Sequence, residues 1–276
     1  MPPSGPRVFT IQCKSLMTKS GIPSLDYAVN PYLGCEHACV YCYATFMKRF
    51  AGVEGEWGSF VGVKENAPEV LRKEIGRRAP GVVSFGTVCD AYQVVEEEFG
   101  VTRRCLEEFI GASGFDVGVL TKSDLVVRDI DLLSRLESVD VGFSITTLDR
   151  ELAAVFEPRA PSPSRRLAAM RELSEAGIPV WGFFGPVLPV FSDGVGEITE
   201  MLEAMEQSGA RRVLVDTMNL YPTVRSGVRT LFAARFAERL PAFEAVLADP
   251  GAYAAELADL VESAAQAVGI EVDVCF

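Results

Sequence analysis

Histidine is nearly absent from this chain: His37 is the only one in 276 residues. That removes the zinc hydrolase sites, which gather two or three imidazoles on one metal ion. Walker phosphate loops are missing too, since neither Gly-Lys-Ser nor Gly-Lys-Thr occurs, and there is no Gly-x-Ser-x-Gly nucleophile elbow. No apolar run reaches the roughly 18 to 20 residues that a membrane span takes. Met1–Arg7 has no signal-peptide core, so a cytoplasmic location without membrane contact is expected. Cations are in short supply: 26 Lys and Arg face 38 Asp and Glu, a net charge of −12. The global field therefore gives no help to binding a phosphate backbone, which would need a local basic groove.

Against these absences stand seven cysteines, Cys13, Cys35, Cys39, Cys42, Cys89, Cys105 and Cys275. An odd number spread over a long chain does not resemble the dense pairing of small secreted domains. Cys35, Cys39 and Cys42 lie within Asn30-Pro31-Tyr32-Leu33-Gly34-Cys35-Glu36-His37-Ala38-Cys39-Val40-Tyr41-Cys42-Tyr43-Ala44. Their spacing of three residues then two lets three thiolates converge from one loop on one inorganic centre. A four-iron cluster held by three cysteines keeps one iron open to an outside ligand, whereas ferredoxin clusters are closed by four. Two alternatives stand beside it: three packed thiols acting as small apolar side chains, and a structural Cys₃His zinc site that uses His37. Zinc sites are usually built from two separated ligand pairs, and the chain has no second pair. Outside a zinc site, His37 reads as an exposed loop residue or a hydrogen-bonding neighbour of the cluster.

Hydrophobic residues make up 49% and charged ones 23%, the composition of a globular protein with a substantial core. Short apolar runs alternate with amphipathic stretches, the pattern of βα units around a parallel sheet. Candidate strands are Leu25–Val29, Val82–Val88, Val117–Thr121, Val141–Thr146, Val180–Val187 and Val213–Asp216. Candidate helices are Pro68–Ile75, Thr102–Ile110, Leu125–Leu136, Pro163–Ala176 and Val195–Gln207, with Leu167, Met170 and Leu173 as the clearest stripe. Ser162 and Pro163 read as N-cap and first helical residue, and Gly177 as a stop. Six units are too few to close an eight-stranded barrel and suit a partial (β/α)6 barrel, with functional residues at the C-terminal strand ends. One domain over residues 1–276 is expected, with a core of about 25–220. From about 221 to 276 a helical cap follows (Val228–Leu240, Ala252–Val268), ending in a short apolar tail, Ile270–Phe276. Met47–Gly62 reads as a loop, and Glu96-Glu97-Glu98 as a solvated acidic run opening a helix.

Cys-x3-Cys-x2-Cys with Tyr41 just before the last cysteine resembles the signature of the radical S-adenosylmethionine (SAM) superfamily. The resemblance implies a [4Fe–4S] cluster on Cys35, Cys39 and Cys42. Its open iron would bind the amino and carboxylate groups of SAM, and reduction would split the sulfonium into methionine and a 5′-deoxyadenosyl radical that abstracts hydrogen. It also implies an external low-potential electron donor, flavodoxin or ferredoxin, since no second cysteine cluster is present.

Within the superfamily, the chain resembles the spore photoproduct lyase, or DNA repair photolyase-like, group. The likeness rests on Asn30–Cys35, Cys42–Ala44, Phe85–Asp90, Leu120–Ser123, Gly142–Thr146 and Glu157–Pro163. Carried over by position, Tyr41 would lie beside the adenine, and Lys122 and Ser144 would hydrogen-bond the ribose or carboxylate of the cofactor. Arg159 would anchor the methionyl carboxylate or a substrate phosphate. Each has a plain alternative: a solvated lysine, a serine satisfied by backbone, a surface arginine. The lyases carry a hydrogen-donating cysteine where this chain has Thr87. Cys89 stands two residues later, on the same face if the strand continues, so that Cys89 is either a shifted donor or a packed thiol. Tyr43 matches a tyrosine used in hydrogen return. The implied substrate is a damaged pyrimidine in nucleic acid, or otherwise an unidentified small molecule or protein side chain.

Overall fold

The structure, a computed structural model, describes residues 5–52 and 55–276. The first four residues of the N-terminal stretch and residues 53 and 54 of the Met47–Gly62 stretch lie outside it. The strands are β1 Arg7–Ile11, β2 Met17–Lys19, β3 Tyr27–Val29, β4 Tyr32–Leu33, β5 Phe60–Lys64, β6 Val82–Phe85, β7 Asp116–Thr121, β8 Val139–Ser144, β9 Val180–Phe184, β10 Arg212–Val215 and β11 Glu271–Val274. The main sheet runs β11-β10-β9-β8-β7-β6-β3-β2, parallel from β11 to β3, with β2 antiparallel at one edge. All six expected parallel strands are there, in an α/β architecture of successive βα units open between β11 and β2.

Strand register separates the two faces of this sheet. Val83, Phe85, Val117, Val119, Val141, Phe143, Val180, Phe184, Val213 and Val215 point one way and are buried against helices that include Pro163–Glu175 and Val195–Gln207. Burying both these side chains and the helix stripes, Met170 and Leu173 among them, is what holds the layers together. The alternate residues form the opposite, open face. Leu120, Phe183 and Leu214 lie along it, and Lys122, Ser144, Asp216 and Cys275 reach its C-terminal end.

Three expectations change. Ile270–Phe276 is not a mere tail, because it contains β11, an edge strand paired only with β10 and so free of any need for a continuous apolar run. Met47–Gly62 is not all loop: it holds the helix Lys48–Ala51 and the start of β5, which joins β1 and β4 in a second, three-stranded sheet. Glu96 is fully buried, not solvated. It accepts from the backbone N–H of Thr102 (2.8 Å) and Arg103 (3.2 Å) at the start of helix Val101–Glu107, from Tyr32 Oη, and from Arg128 Nη2 (2.9 Å). The helix N-terminus that favours an acid is thus the next one along, and the acid is folded under it. Smaller differences concern Leu125–Leu136, a 3-10 turn Asp124–Asp129 followed by helix Ile130–Leu133, and Ser162, whose hydroxyl meets Ser164 Oγ at 3.1 Å and caps no backbone N–H.

Removing the Glu96 carboxylate leaves two helix N–H groups and Arg128 short of their acceptor. Glu96→Ala is expected to cost about 3 kcal/mol of stability. Urea unfolding followed by circular dichroism measures it, and a loss below about 1 kcal/mol contradicts the assignment.

Candidate active site

The cysteine loop leaves β4 and is moulded by β5. Gly34 has φ +91°, and a Cβ there would stand 2.6 Å from the Phe60 carbonyl oxygen. Ala38 also has positive φ (56°), and its methyl occupies the space where a side chain on Gly58 would go. The loop closes with Cys42 N–H donating to Cys39 O (3.1 Å), and Val40 N–H donates to Phe156 O (2.9 Å). All three thiols are unpaired. Burial pushes Cys35 well above the usual thiol range, Cys39 up to about 12, and Cys42 upward. Around Cys39, Lys122 and Arg166 pull the other way, supplying positive charge beside the thiolates that metal ligation would create.

This donor set fits a cluster better than a single ion. Cys35, Cys39 and Cys42 lie close enough to act on one another, and they offer only soft thiol donors, the ligands that iron–sulfur clusters take. His37 turns Nδ1 to Asp90 Oδ2 at 3.4 Å. It is 1% exposed, so it is not the exposed loop residue of the sequence reading, and its Nε2 has no partner. Burial holds the imidazole below its usual range, with Asp90 pulling the other way.

The strand ends face this loop. Lys122, just after β7, donates through Nζ to Ser144 Oγ (2.7 Å), and Ser144 donates to Gly185 O (2.9 Å). Lys122 Nζ also stands 5.8 Å from the centre of the Tyr41 ring and 4.0 Å from Glu157 Oε1. Tyr41 Oη donates to Glu157, and the Arg166 guanidinium pairs with the same carboxylate while giving Nη1–H to Ser144 O (2.9 Å). Asp90 accepts from Thr121 Oγ1 (2.6 Å), Lys122 N–H (2.7 Å) and Tyr92 N–H (2.9 Å). The structure therefore brings Tyr41, Lys122 and Ser144 together beside the cysteines.

Arg159 is tied to the cysteine loop and to the stretch before β5. Its Nη1–H donates to Gly58 O (2.6 Å), and its backbone N–H to His37 O (3.3 Å). Thr87 and Cys89 do not share a strand as expected, because β6 ends at Phe85 and Gly86 turns the chain at φ +92°. Asn30 gathers the turn instead: Nδ2 donates to Thr87 Oγ1 (2.9 Å), and Oδ1 accepts from Val88 N–H (2.9 Å) and the Cys89 thiol (3.7 Å). Cys89 is 4% exposed, and burial pushes its thiol up to about 12. Tyr43 is 40% exposed, donates to Thr87 O, and is pushed up to about 12 by burial, with Cys42, Cys89 and Asp216 adding to the shift.

Sequence reasoning missed the work of Asn30, Asp90, Glu157 and Arg166. The first three stood inside quoted motifs, but nothing in spacing shows that a carboxylate at 157 meets a guanidinium at 166 and a phenol at 41. Burial opposes ionisation of Glu157, yet Arg166 and Lys122, with hydrogen bonds from Arg166 and Tyr41, hold its carboxyl below the usual range. The unfolded chain therefore binds the proton more readily. This contribution to stability is complete above the unfolded value of about 4.3 and is lost as pH falls through the folded one. Below about pH 4, wild-type stability is expected to fall more steeply with acidification than that of Glu157→Gln, measured by urea unfolding. Equal slopes contradict the pairing.

The family profile described as Radical SAM superfamily matches residues 29–204, well over half of the chain. Uncharacterized protein MJ0683 of Methanocaldococcus jannaschii is 36% identical over 186 residues, covering 67% of this chain and 70% of that protein. A spore photoproduct lyase of Geobacillus is 26% identical over 180 residues, 63% of this chain and 49% of that one. In fold, the chain is similar to a spore photoproduct lyase variant solved with dinucleoside spore photoproduct. The TM-score is 0.72 at 16% identity, covering 98% of this chain and 81% of the other. With three free thiols on one loop beside the strand ends of a parallel sheet, and the profile spanning both, the chain belongs to the radical SAM superfamily and is an enzyme.

Proposed function

We propose that the enzyme holds a [4Fe–4S] cluster on Cys35, Cys39 and Cys42 and uses it to cleave SAM reductively. The 5′-deoxyadenosyl radical so formed would abstract hydrogen from a substrate not yet identified. The observation that carries this reading is that three free cysteines of one loop lie beside the Lys122–Ser144 pair at the ends of β7 and β8, near enough for Lys122 to act on Cys39 and Cys42. When bound, the cluster supplies one electron and an open iron for the amino and carboxylate groups of SAM.

The chain's own residues divide the remaining tasks. Lys122 brings a cation and Ser144 a compact donor and acceptor to the cofactor's carboxylate or ribose. Tyr41, fixed by Glu157, offers a ring face near the adenine. The Arg159 guanidinium gives one N–H to Gly58 and keeps others for the methionyl carboxylate or a substrate phosphate. Tyr43, half out in solvent above Thr87, is better placed than Cys89 to meet a substrate radical directly. Cys89 would act as the hydrogen donor only through movement of the Asn30-bound turn. An external flavodoxin or ferredoxin would supply the electron, and the free state of all seven cysteines suits a reducing compartment such as the cytoplasm.

A second reading takes the lyase likeness further, to repair of a pyrimidine lesion in DNA. The similarity in fold and the matched Tyr43 favour it. Thr87 in the place of the lyases' donor cysteine does not. A zinc-stabilised binding module would need a second, separated ligand pair, which the sequence does not offer.

Anaerobic assays with dithionite test the first reading. Wild-type protein is expected to form 5′-deoxyadenosine from SAM, and Cys42→Ala to lose both bound iron and at least about 100-fold of that activity. Retention of activity in Cys42→Ala contradicts it. Cys89→Ala is expected to leave SAM cleavage within about twofold of wild type and to change only the fate of the substrate radical; a loss of cleavage would remove Cys89 from the hydrogen-return step.

A further inference from the structure

The reductive step proposed above consumes one electron per SAM. The C5′–S bond breaks, methionine leaves with the electron pair, and the 5′-deoxyadenosyl fragment keeps the odd electron. The described residues offer no second cysteine cluster to relay that electron from the surface. The route in must therefore start at a partner docked close to the cysteine loop.

Helix Pro222–Arg235 covers that loop from outside. A Cβ on Gly227 would stand 3.6 Å from Val40 O, and Val224, Val228 and Phe232 pack in one cluster with Tyr41, bordered by Cys39 and Val40. Thr223 and Thr45 hydroxyls meet at 3.4 Å, joining the helix to the turn that follows Cys42. Only one helix, about 10 Å thick, separates its outer face from the cysteines.

That outer surface differs in charge from the rest of the molecule. Segments 43–51 and 222–235 carry Lys48, Arg49, Arg225, Arg229 and Arg235 and no acidic residue, in a chain of net charge −12. Arg225 and Arg229 line an open groove of about 460 Å³ bounded by Leu240 and Glu244, the latter paired with Arg229. On the segment that Thr45 joins to this helix, Phe46 and Phe50 are 42% and 59% exposed, with the Arg49 guanidinium 5.7 and 4.7 Å from their ring centres. A small exposed apolar centre with a rim of one charge is the composition of an interface that uses steering to find its partner.

We propose that Phe46, Lys48, Arg49, Phe50 and Arg225 dock an acidic protein that donates single electrons to the cluster through the cysteine loop. The inference rests on the reading of the chain as a reductive SAM enzyme. Cations among aromatics also suit a single nucleic-acid strand. However, the groove lies on the outer face of helix Pro222–Arg235, opposite the Val224, Val228 and Phe232 face that packs with Tyr41, and Lys122 and Ser144 lie on the open face of the sheet with Asp216 and Asp273. An electron needs only to come near the cysteines, whereas a substrate has to reach the strand ends.

The test uses the cluster-loaded protein and an acidic flavodoxin. Calorimetry with oxidised flavodoxin gives the affinity without any turnover, and bleaching of the cluster by flavodoxin hydroquinone, which leaves as the semiquinone, gives the rate. K48E/R49E/R225E is expected to weaken binding and slow reduction at least about tenfold, and raising salt is expected to slow wild type and not the variant. Dithionite-driven 5′-deoxyadenosine formation is expected to stay within about twofold. K73E/R77E, on exposed positions of and just after helix Ala67–Ile75, is expected to match wild type. Unchanged flavodoxin affinity in the triple variant overturns the proposal. So does an equal loss in K73E/R77E, or a loss confined to retention of single-stranded oligothymidylate. Should the triple variant fail to fold, K48A/R49A/R225A replaces it, with at least about threefold weaker binding required. Failure of the wild-type protein to cleave SAM with dithionite would defeat the parent reading alone, since the flavodoxin affinities decide this one.

Discussion

Glu157 is a carboxylate sealed from water that joins three parts of the site at once. It takes the phenol of Tyr41 from the cysteine loop, the guanidinium of Arg166 from helix Pro163–Glu175, and the charge of Lys122 at the end of β7. Without Arg166, an ionised group so placed would be too costly to bury, and without Glu157 the same holds for Arg166. The pair therefore fixes the angle between the cysteine loop and the sheet. Arg166 extends the arrangement by holding Ser144 O, and Ser144 and Lys122 hold each other. Asp90 does for the neighbouring strand ends what Glu157 does here, tying Thr121, Lys122 and Tyr92 to His37.

The sequence showed the cysteine triad and the six βα units because both are local: one is a spacing within eight residues, the other a period of two or 3.6. Lys122 and Ser144 were legible as strand-end residues, and the register of β7 on β8 places them opposite each other. What could not be read was anything that depends on two distant segments meeting. Glu96 looked solvated because its neighbours Glu97 and Glu98 are exposed, while its own acceptors are filled by Tyr32, Arg128 and a helix that begins five residues later. Thr87 and Cys89 were placed on a strand that Gly86 ends. β11 was hidden because an edge strand whose Glu271 and Asp273 are exposed has no apolar signature.

The fold gives the site two different surroundings. Toward the open face lie Lys122, Ser144, Tyr43 and Asp216, a mixed set of donors and acceptors with no surplus of cations. On the outside of helix Pro222–Arg235 the charge is positive and the aromatic rings are exposed. The proposed electron entry and substrate entry would then lie on opposite sides of one helix, so that a protein partner could dock while the strand ends stay accessible. Electrostatics suits that division, because steering acts on rates of encounter at the surface, while the buried pairs act on positions within it.

The central claim is that Cys35, Cys39 and Cys42 hold a four-iron cluster with one iron open to SAM. Electron paramagnetic resonance of the anaerobically purified, dithionite-reduced protein tests it most directly, with iron and sulfide counted on the same sample. The account predicts about four irons and four sulfides per chain and a reduced-cluster signal whose shape changes when SAM is added. A colourless protein carrying one zinc, or a cluster signal indifferent to SAM, would contradict it.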